Sequence, residues 1–172
     1  MTNQKAKIAT RTLALLAMLV AIGVVLGRLV PVVNVWNTKL EFSFVSVMLA
    51  GYIAGPVGGV VVGGLIDLIG ALLVPTGAYF PGFTVTAAIT GLVFGFLFHK
   101  NITLPKIIIA VLSTQLVCSL LINTFFISML YTKAFSVLIV SRLLQTAIMS
   151  VVEIVFAYFV LTKITPLKKL KI

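Results

Sequence analysis

The sequence predicts an all-α integral membrane protein: a single domain over residues 1–172, with six transmembrane helices, both termini cytoplasmic and its binding loops on the outer side. Three observations carry that expectation. Of the 172 residues, 61% are hydrophobic and only 9% are charged, whereas a water-soluble domain carries roughly a quarter charged residues to keep its surface wet. Too few charges remain to cover a globule, so most of the surface must face lipid. The apolar residues recur in runs to the end of the chain, and the first run is long enough to span, unlike a cleaved signal peptide. Basic residues flank these runs: Lys5, Lys7 and Arg11 before the first, Lys100 and Lys106 in a mid-chain loop, and Lys163, Lys168, Lys169 and Lys171 at the close.

Each element follows in order. The first span covers 8–27, and a polar, aromatic loop follows over 28–41. The second, 42–54, is short for a full crossing and is expected to be tilted or partly embedded in protein. Gly55, Pro56, Gly58 and Gly59 predict a tight turn, because these residues break helices and admit unusual backbone angles. The third span covers 60–74, and 75–82 forms a second loop without helical character. The fourth covers 83–98 and ends at His99 and Lys100. Pro105 starts the fifth, which reaches Tyr131, and the sixth covers 134–164, stopping before Pro166.

An even number of spans puts both termini on one side, and the lysine clusters mark that side as cytoplasmic, since cytoplasmic loops retain Lys and Arg. The formal charge of +10 is therefore membrane topology, and nucleic acid is not an expected partner. The loops 28–41, 75–82 and 131–134 then lie outside. They hold the aromatic and polar residues, so binding is expected from that side.

Ionisable groups within spans are costly and are functional candidates by default. Asp67 interrupts the third span among Gly63, Gly64 and Gly70, either to hold a ligand amine or as a hydrogen-bonded packing residue. Arg142, Gln145, Met149 and Glu153 form one stripe of the sixth helix. Arg142, near the outer end, suits an anionic ligand group, because its fork binds a carboxylate bidentately; snorkelling to headgroups is the other reading. Glu153 is expected to serve packing or coupling. Gln115, Ser119 and Asn123 share a face of the fifth helix, with Asn123 placed to meet ligand and the others to bond neighbouring helices. In the outer loops Trp36, Tyr79, Phe80 and Phe83 offer flat surfaces, and Arg28, Asn34, Asn37, Lys39 and Glu41 offer polar handles. They make either an interfacial belt or the lid of a site for a planar heteroaromatic solute.

Catalytic and metal chemistry has no constellation here, and no cofactor is expected. His99 is the single histidine and Cys118 the single cysteine, so no disulfide within the chain, thiolate metal site or histidine pair can be built. Cys118 reads as a small buried hydrophobe. No Gly-x-x-x-x-Gly-Lys-Ser/Thr stretch occurs, so the chain does not itself use ATP in the usual way. A subunit that depends on a partner is the reading left, with an intramembrane enzyme or a ligand-free assembly protein as the alternatives from other classes. Gly51/Gly55, Gly55/Gly59, Gly59/Gly63 and Gly91/Gly95 fall at helical spacing and predict close helix packing. Ala17 and Ala21, by spacing alone, mark a smooth helix face.

The run Phe42-Ser43-Phe44-Val45-Ser46-Val47-Met48-Leu49-Ala50-Gly51 is followed by Gly55-Pro56-Val57-Gly58-Gly59 and by Asp67-Leu68-Ile69-Gly70. With Pro75-Thr76-Gly77-Ala78-Tyr79-Phe80-Pro81-Gly82-Phe83-Thr84, these stretches closely resemble the folate-family S components of energy-coupling factor (ECF) transporters. The resemblance implies a multi-pass protein of the bacterial plasma membrane that binds one vitamin from outside. It also implies docking on a module of one transmembrane coupling subunit and two ATPases, with Ala17 and Ala21 matching the Ala-x-x-x-Ala face that meets the coupling subunit. Folate is the implied ligand, with S components for riboflavin, thiamine or a pyridoxine-like vitamin as the alternatives. Its pterin would stack on Phe80, Tyr79 and Trp36 and give its N–H groups to Glu41, Asp67 or Asn123. Its carboxylates would fall to Arg28, Lys39 or Arg142.

Overall fold

A backbone in hydrocarbon must find its hydrogen bonds within the chain, and helices satisfy nearly all of them locally. The computed structural model of the protein, which describes residues 2–29, 34–35, 38–39, 41–75, 78–131 and 135–168, is accordingly helical. α1 spans Thr2–Val24 and continues as a π-helical turn over Val25–Leu29. A two-residue antiparallel pair follows, β1 (Asn34–Val35) with β2 (Thr38–Lys39), Asn34 opposite Lys39. α2 covers Phe44–Leu73, α3 Pro81–Phe98 and α4 Leu104–Ser113. α4 runs on into a π-helix over Thr114–Ile122 and then α5, Asn123–Tyr131. α6 covers Phe135–Lys168. Among the described residues, five stretches are long and apolar enough to cross a membrane: Thr10–Arg28, Phe44–Leu73, Pro81–Phe98, Leu104–Tyr131 and Leu138–Lys163.

α2 is broken at its centre. Gly55 has φ 71° and ψ −162° and is followed by Pro56, a backbone region that glycine enters freely because it has no Cβ. The chain folds back there. A Cβ at Gly58 would lie 3.1 Å from the Ala50 carbonyl oxygen, and one at Gly63 would lie 3.4 Å from Val47. Eight residues of straight helix would hold positions 50 and 58 about 12 Å apart. The arms 44–54 and 56–73 therefore lie side by side, with the turn at the expected glycine-proline cluster.

Small residues set the approach of α3. A Cβ at Gly51 would come within 2.8 Å of the Gly95 nitrogen, and one at Gly63 within 2.5 Å of the Ala87 carbonyl oxygen, while Gly59 and Gly91 meet backbone to backbone. These contacts run α3 antiparallel to the second arm of α2 at a distance no larger side chain allows. The core closes on Met48, Val62, Phe94, Phe98, Ile107 and Leu161. Phe94 and Phe98 stack there, with centroids 5.5 Å apart. Outward, Leu13, Phe96, Val140 and Phe159 are exposed, a surface suited to lipid.

Several boundaries differ from those expected. Helix α1 begins at Thr2, well before residue 8. The segment 75–82 is not wholly irregular, because Pro81 opens α3; at the first helical position its missing N–H would have had no partner. The fifth helix carries a π-helical stretch. α6 passes Pro166 and ends at Lys168: proline's fixed φ is helical, and in the last turn its missing donor removes a single ladder bond.

Candidate ligand-binding cavity

One cavity of about 440 Å³ opens among the described helices, within the size range of small-molecule sites. Arg28, Glu41, Asp67, Tyr79, Phe83, Asn123, Arg142 and Gln145, all candidates from the sequence, line it together. Phe80 does not. Its ring packs on Phe126, centroids 5.0 Å apart, and edge-on against Phe83 at 6.0 Å, so it backs the wall while Phe83 forms it. Trp36 lies outside the described residues, as do Asn37 and the side chains of Asn34 and Lys39.

The π-helical end of α1 delivers Arg28, and Gly70 makes room for it: a Cβ there would sit 2.9 Å from Arg28 Nε. Arg28 Nη2 lies 3.7 Å from Asp67 Oδ1, and Nη1 donates to the Val74 carbonyl at 3.5 Å. Asp67 Oδ2 accepts the Thr84 hydroxyl at 2.7 Å. Because Thr84 spends its proton there, its oxygen receives the Tyr79 hydroxyl at 3.1 Å. This chain ties α1, the second arm of α2 and α3 to the 78–80 segment, and Ala78 N donates to the Tyr131 hydroxyl at 3.4 Å. Asp67 is thus both a cavity wall and a fully engaged packing residue.

The other guanidinium differs. Arg142 Nη1 and Asn123 Oδ1 are buried and have no hydrogen-bond partner among the described residues. Both face the cavity. A buried polar group left without a partner costs on the order of 1–3 kcal/mol, more for a charge, so these two atoms carry an unmet demand for a polar partner.

From the sequence, Gln115 is expected to bond a neighbouring helix and Glu153 to serve packing or coupling. They do pair, Gln115 Nε2 donating to Glu153 Oε1 at 2.6 Å, but both also line the cavity, with Thr86, Thr90, Thr114 and Cys118. The signal that could have found Glu153 was the stripe itself, since Arg142, Gln145, Met149 and Glu153 all reach the cavity. Cys118 is buried as expected, yet it too is wall.

A small helical membrane protein with glycine-tight packing around one polar-lined cavity is built as an embedded binding subunit. The chain belongs to the family of ECF transporter substrate-specific components, whose model matches residues 11–164. It is 33% identical over 121 residues to the folate transporter FolT of Clostridium novyi, which covers 70% of each chain. It is 32% identical over 162 residues to FolT of Leuconostoc mesenteroides, covering 90% of this chain and 86% of that one. Among solved structures, FolT bound with folic acid is similar at a TM-score of 0.82 and 28% identity, covering 90% of this chain and 94% of the other. The protein is therefore a multi-pass transport subunit of the bacterial plasma membrane, one component of a larger transporter, and not an enzyme.

Proposed function

We propose that the chain captures folate from outside the cell and releases it inward when docked on an ECF module. The observation that carries this is the Arg142–Asn123 pair of unpartnered buried atoms in a cavity walled by Phe83 and Tyr79. That arrangement offers a flat apolar surface to a pterin and a guanidinium to a carboxylate tail, and relatives that cover most of the chain are named folate transporters. Phe83 takes the stacking role first given to Phe80. Arg142 takes the tail, because Arg28 is already engaged by Asp67. Trp36 and Lys39 act from the outer loop.

Six crossings, with both termini cytoplasmic, fit the reversal at Gly55. The second arm of α2, at roughly 27 Å, spans the hydrocarbon, and the first, at roughly 16 Å, reaches part of the way. Nine of the thirteen basic residues then fall at the cytoplasmic ends, and Arg28, Lys39, Lys133 and Arg142 on the outer side. Ala17 and Ala21 lie on an exposed face of α1 beside Leu13 and Met18. That face meets the transmembrane coupling subunit, and two ATPases supply the energy.

Thermal unfolding of the purified chain tests the reading. Folic acid at a hundred times its Kd should add about 2.7 kcal/mol of stability and raise Tm, with riboflavin, thiamine and pyridoxine inert. A rise with one of those vitamins and none with folic acid rejects folate as the ligand.

A further inference from the structure

We infer that Thr84 is a positioning residue for ligand retention: acting through Tyr79, its hydroxyl holds the 78–80 segment across the cavity mouth and sets how fast a bound ligand leaves. The inference rests on the folate reading. Residues that line the cavity and are also exposed mark its mouth. Glu41, Pro75, Ala78, Tyr79 and Tyr131 are of this kind, whereas Thr86, Gln115 and Glu153 line the cavity and are buried. A ligand entering or leaving at the mouth passes the 78–80 segment.

Among the described residues, two side-chain hydroxyls hold that segment from outside it. The Tyr131 hydroxyl accepts from Ala78 N at 3.4 Å, and the Thr84 oxygen meets the Tyr79 hydroxyl at 3.1 Å. The second contact is the anchored one. Thr84 stands near the start of α3, and helical side chains lean toward the N-terminus. Its hydroxyl therefore reaches back to the segment that leads into the helix. The Thr84 proton goes to Asp67 Oδ2 at 2.7 Å, and Asp67 Oδ1 faces Arg28 at 3.7 Å. The Thr84 oxygen cannot swing away from Tyr79 without giving up that charge-assisted bond. Its neighbours on α3 behave otherwise. Thr86 and Thr90 turn their hydroxyls back to the Gly82 and Thr86 carbonyls of their own helix, the ordinary habit of helical threonine. Thr84 instead joins α2 to the incoming segment. It does not line the cavity, and Tyr79 does, so its effect on a ligand runs through Tyr79.

Association and release of radiolabelled folic acid by the purified full chain, with unlabelled folic acid as the chase, test this. Thr84→Val and Tyr79→Phe should each quicken release about three- to tenfold, the worth of one net hydrogen bond. Association should be as fast or faster, since loosening the mouth adds no barrier to entry. Thr84→Ser keeps the hydroxyl and should release within about twofold of the unaltered chain. The double variant Thr84→Val/Tyr79→Phe should release no faster than Thr84→Val alone, because both changes remove the same bond. Release from Tyr79→Phe as slow as from the unaltered chain overturns the inference. So does Thr84→Ser releasing as fast as Thr84→Val, or a double variant whose effects multiply, the mark of a Tyr79 hydroxyl that acts on the ligand by itself. Weaker binding carried by slower association overturns it too. Should Thr84→Val fail to fold, Thr84→Ala takes its place in the same comparisons, and Tyr79→Phe, which spares the Thr84–Asp67 bond, still decides by its release rate. An unaltered chain that binds no folic acid overturns the folate reading and this inference with it, whereas normal binding with indifferent variants overturns this inference alone.

Discussion

Arg28 on α1 and Asp67 on α2 face each other at 3.7 Å, both largely shielded from solvent, whereas Arg142 on α6 presents a buried Nη1 with no hydrogen-bond partner among the described residues. Two guanidinium groups line one cavity in different states, and the difference sorts their roles. Asp67→Asn should remove the charge that Asp67 sets against Arg28 and lower Tm. Adding Arg28→Gln should restore part of the loss, because the guanidinium that faced Asp67 is then gone. A double variant no more stable than Asp67→Asn would show that the two side chains are not coupled.

Arg142→Gln should act oppositely. Removing a buried guanidinium whose Nη1 has no hydrogen-bond partner among the described residues leaves stability unchanged or raised, while folic acid affinity falls about tenfold or more, as for loss of a charge-assisted bond. Trp36 is the single tryptophan, so titrations can be followed by its fluorescence. Unchanged affinity would remove Arg142 from the site.

The helix contacts give a sharper pair. Gly91→Ala places a methyl against the Gly59 carbonyl, with no flexible neighbour to yield. About 2 kcal/mol or more of destabilisation is expected from such overpacking. Gly64→Ala meets nothing closer than 3.8 Å and should be neutral or stabilising, alanine being the better helix former. Detergent-solubilised Tm values that fail to separate the two variants would contradict the packing described for α2 and α3.

Ala17→Phe and Ala21→Phe alter an exposed face of α1 away from the cavity. Each should leave folic acid affinity of the isolated chain intact and abolish copurification with the coupling subunit. Retained copurification would move the docking face elsewhere.

How much of this was legible in the sequence depended on whether a feature was local. The reversal at Gly55 could be read because a Gly-Pro step punctuates a chain wherever it sits, and the Arg142–Glu153 stripe because helical periodicity fixes which residues share a face. The pairing of Gln115 with Glu153 could not, since it depends on which faces of two distant helices meet. Phe80 and Phe83 looked equivalent as loop aromatics. They separate because α3 starts between them, at Pro81: both rings pack on Phe126, and Phe83 alone of the two reaches the cavity. The π-helix over Thr114–Ile122 has no sequence mark at all, yet it carries Gln115, Cys118 and Ser119 to the wall. Arg28 reached the site for a reason visible only in three dimensions: Gly70 leaves the space.

The central claim is capture of folate in this cavity, and an equilibrium titration of the purified chain with folic acid tests it most directly. The expected result is saturable one-to-one binding, weakened by Arg142→Gln and not displaced by riboflavin or thiamine. Absence of saturable folic acid binding, or full displacement by either of the other vitamins, would contradict it.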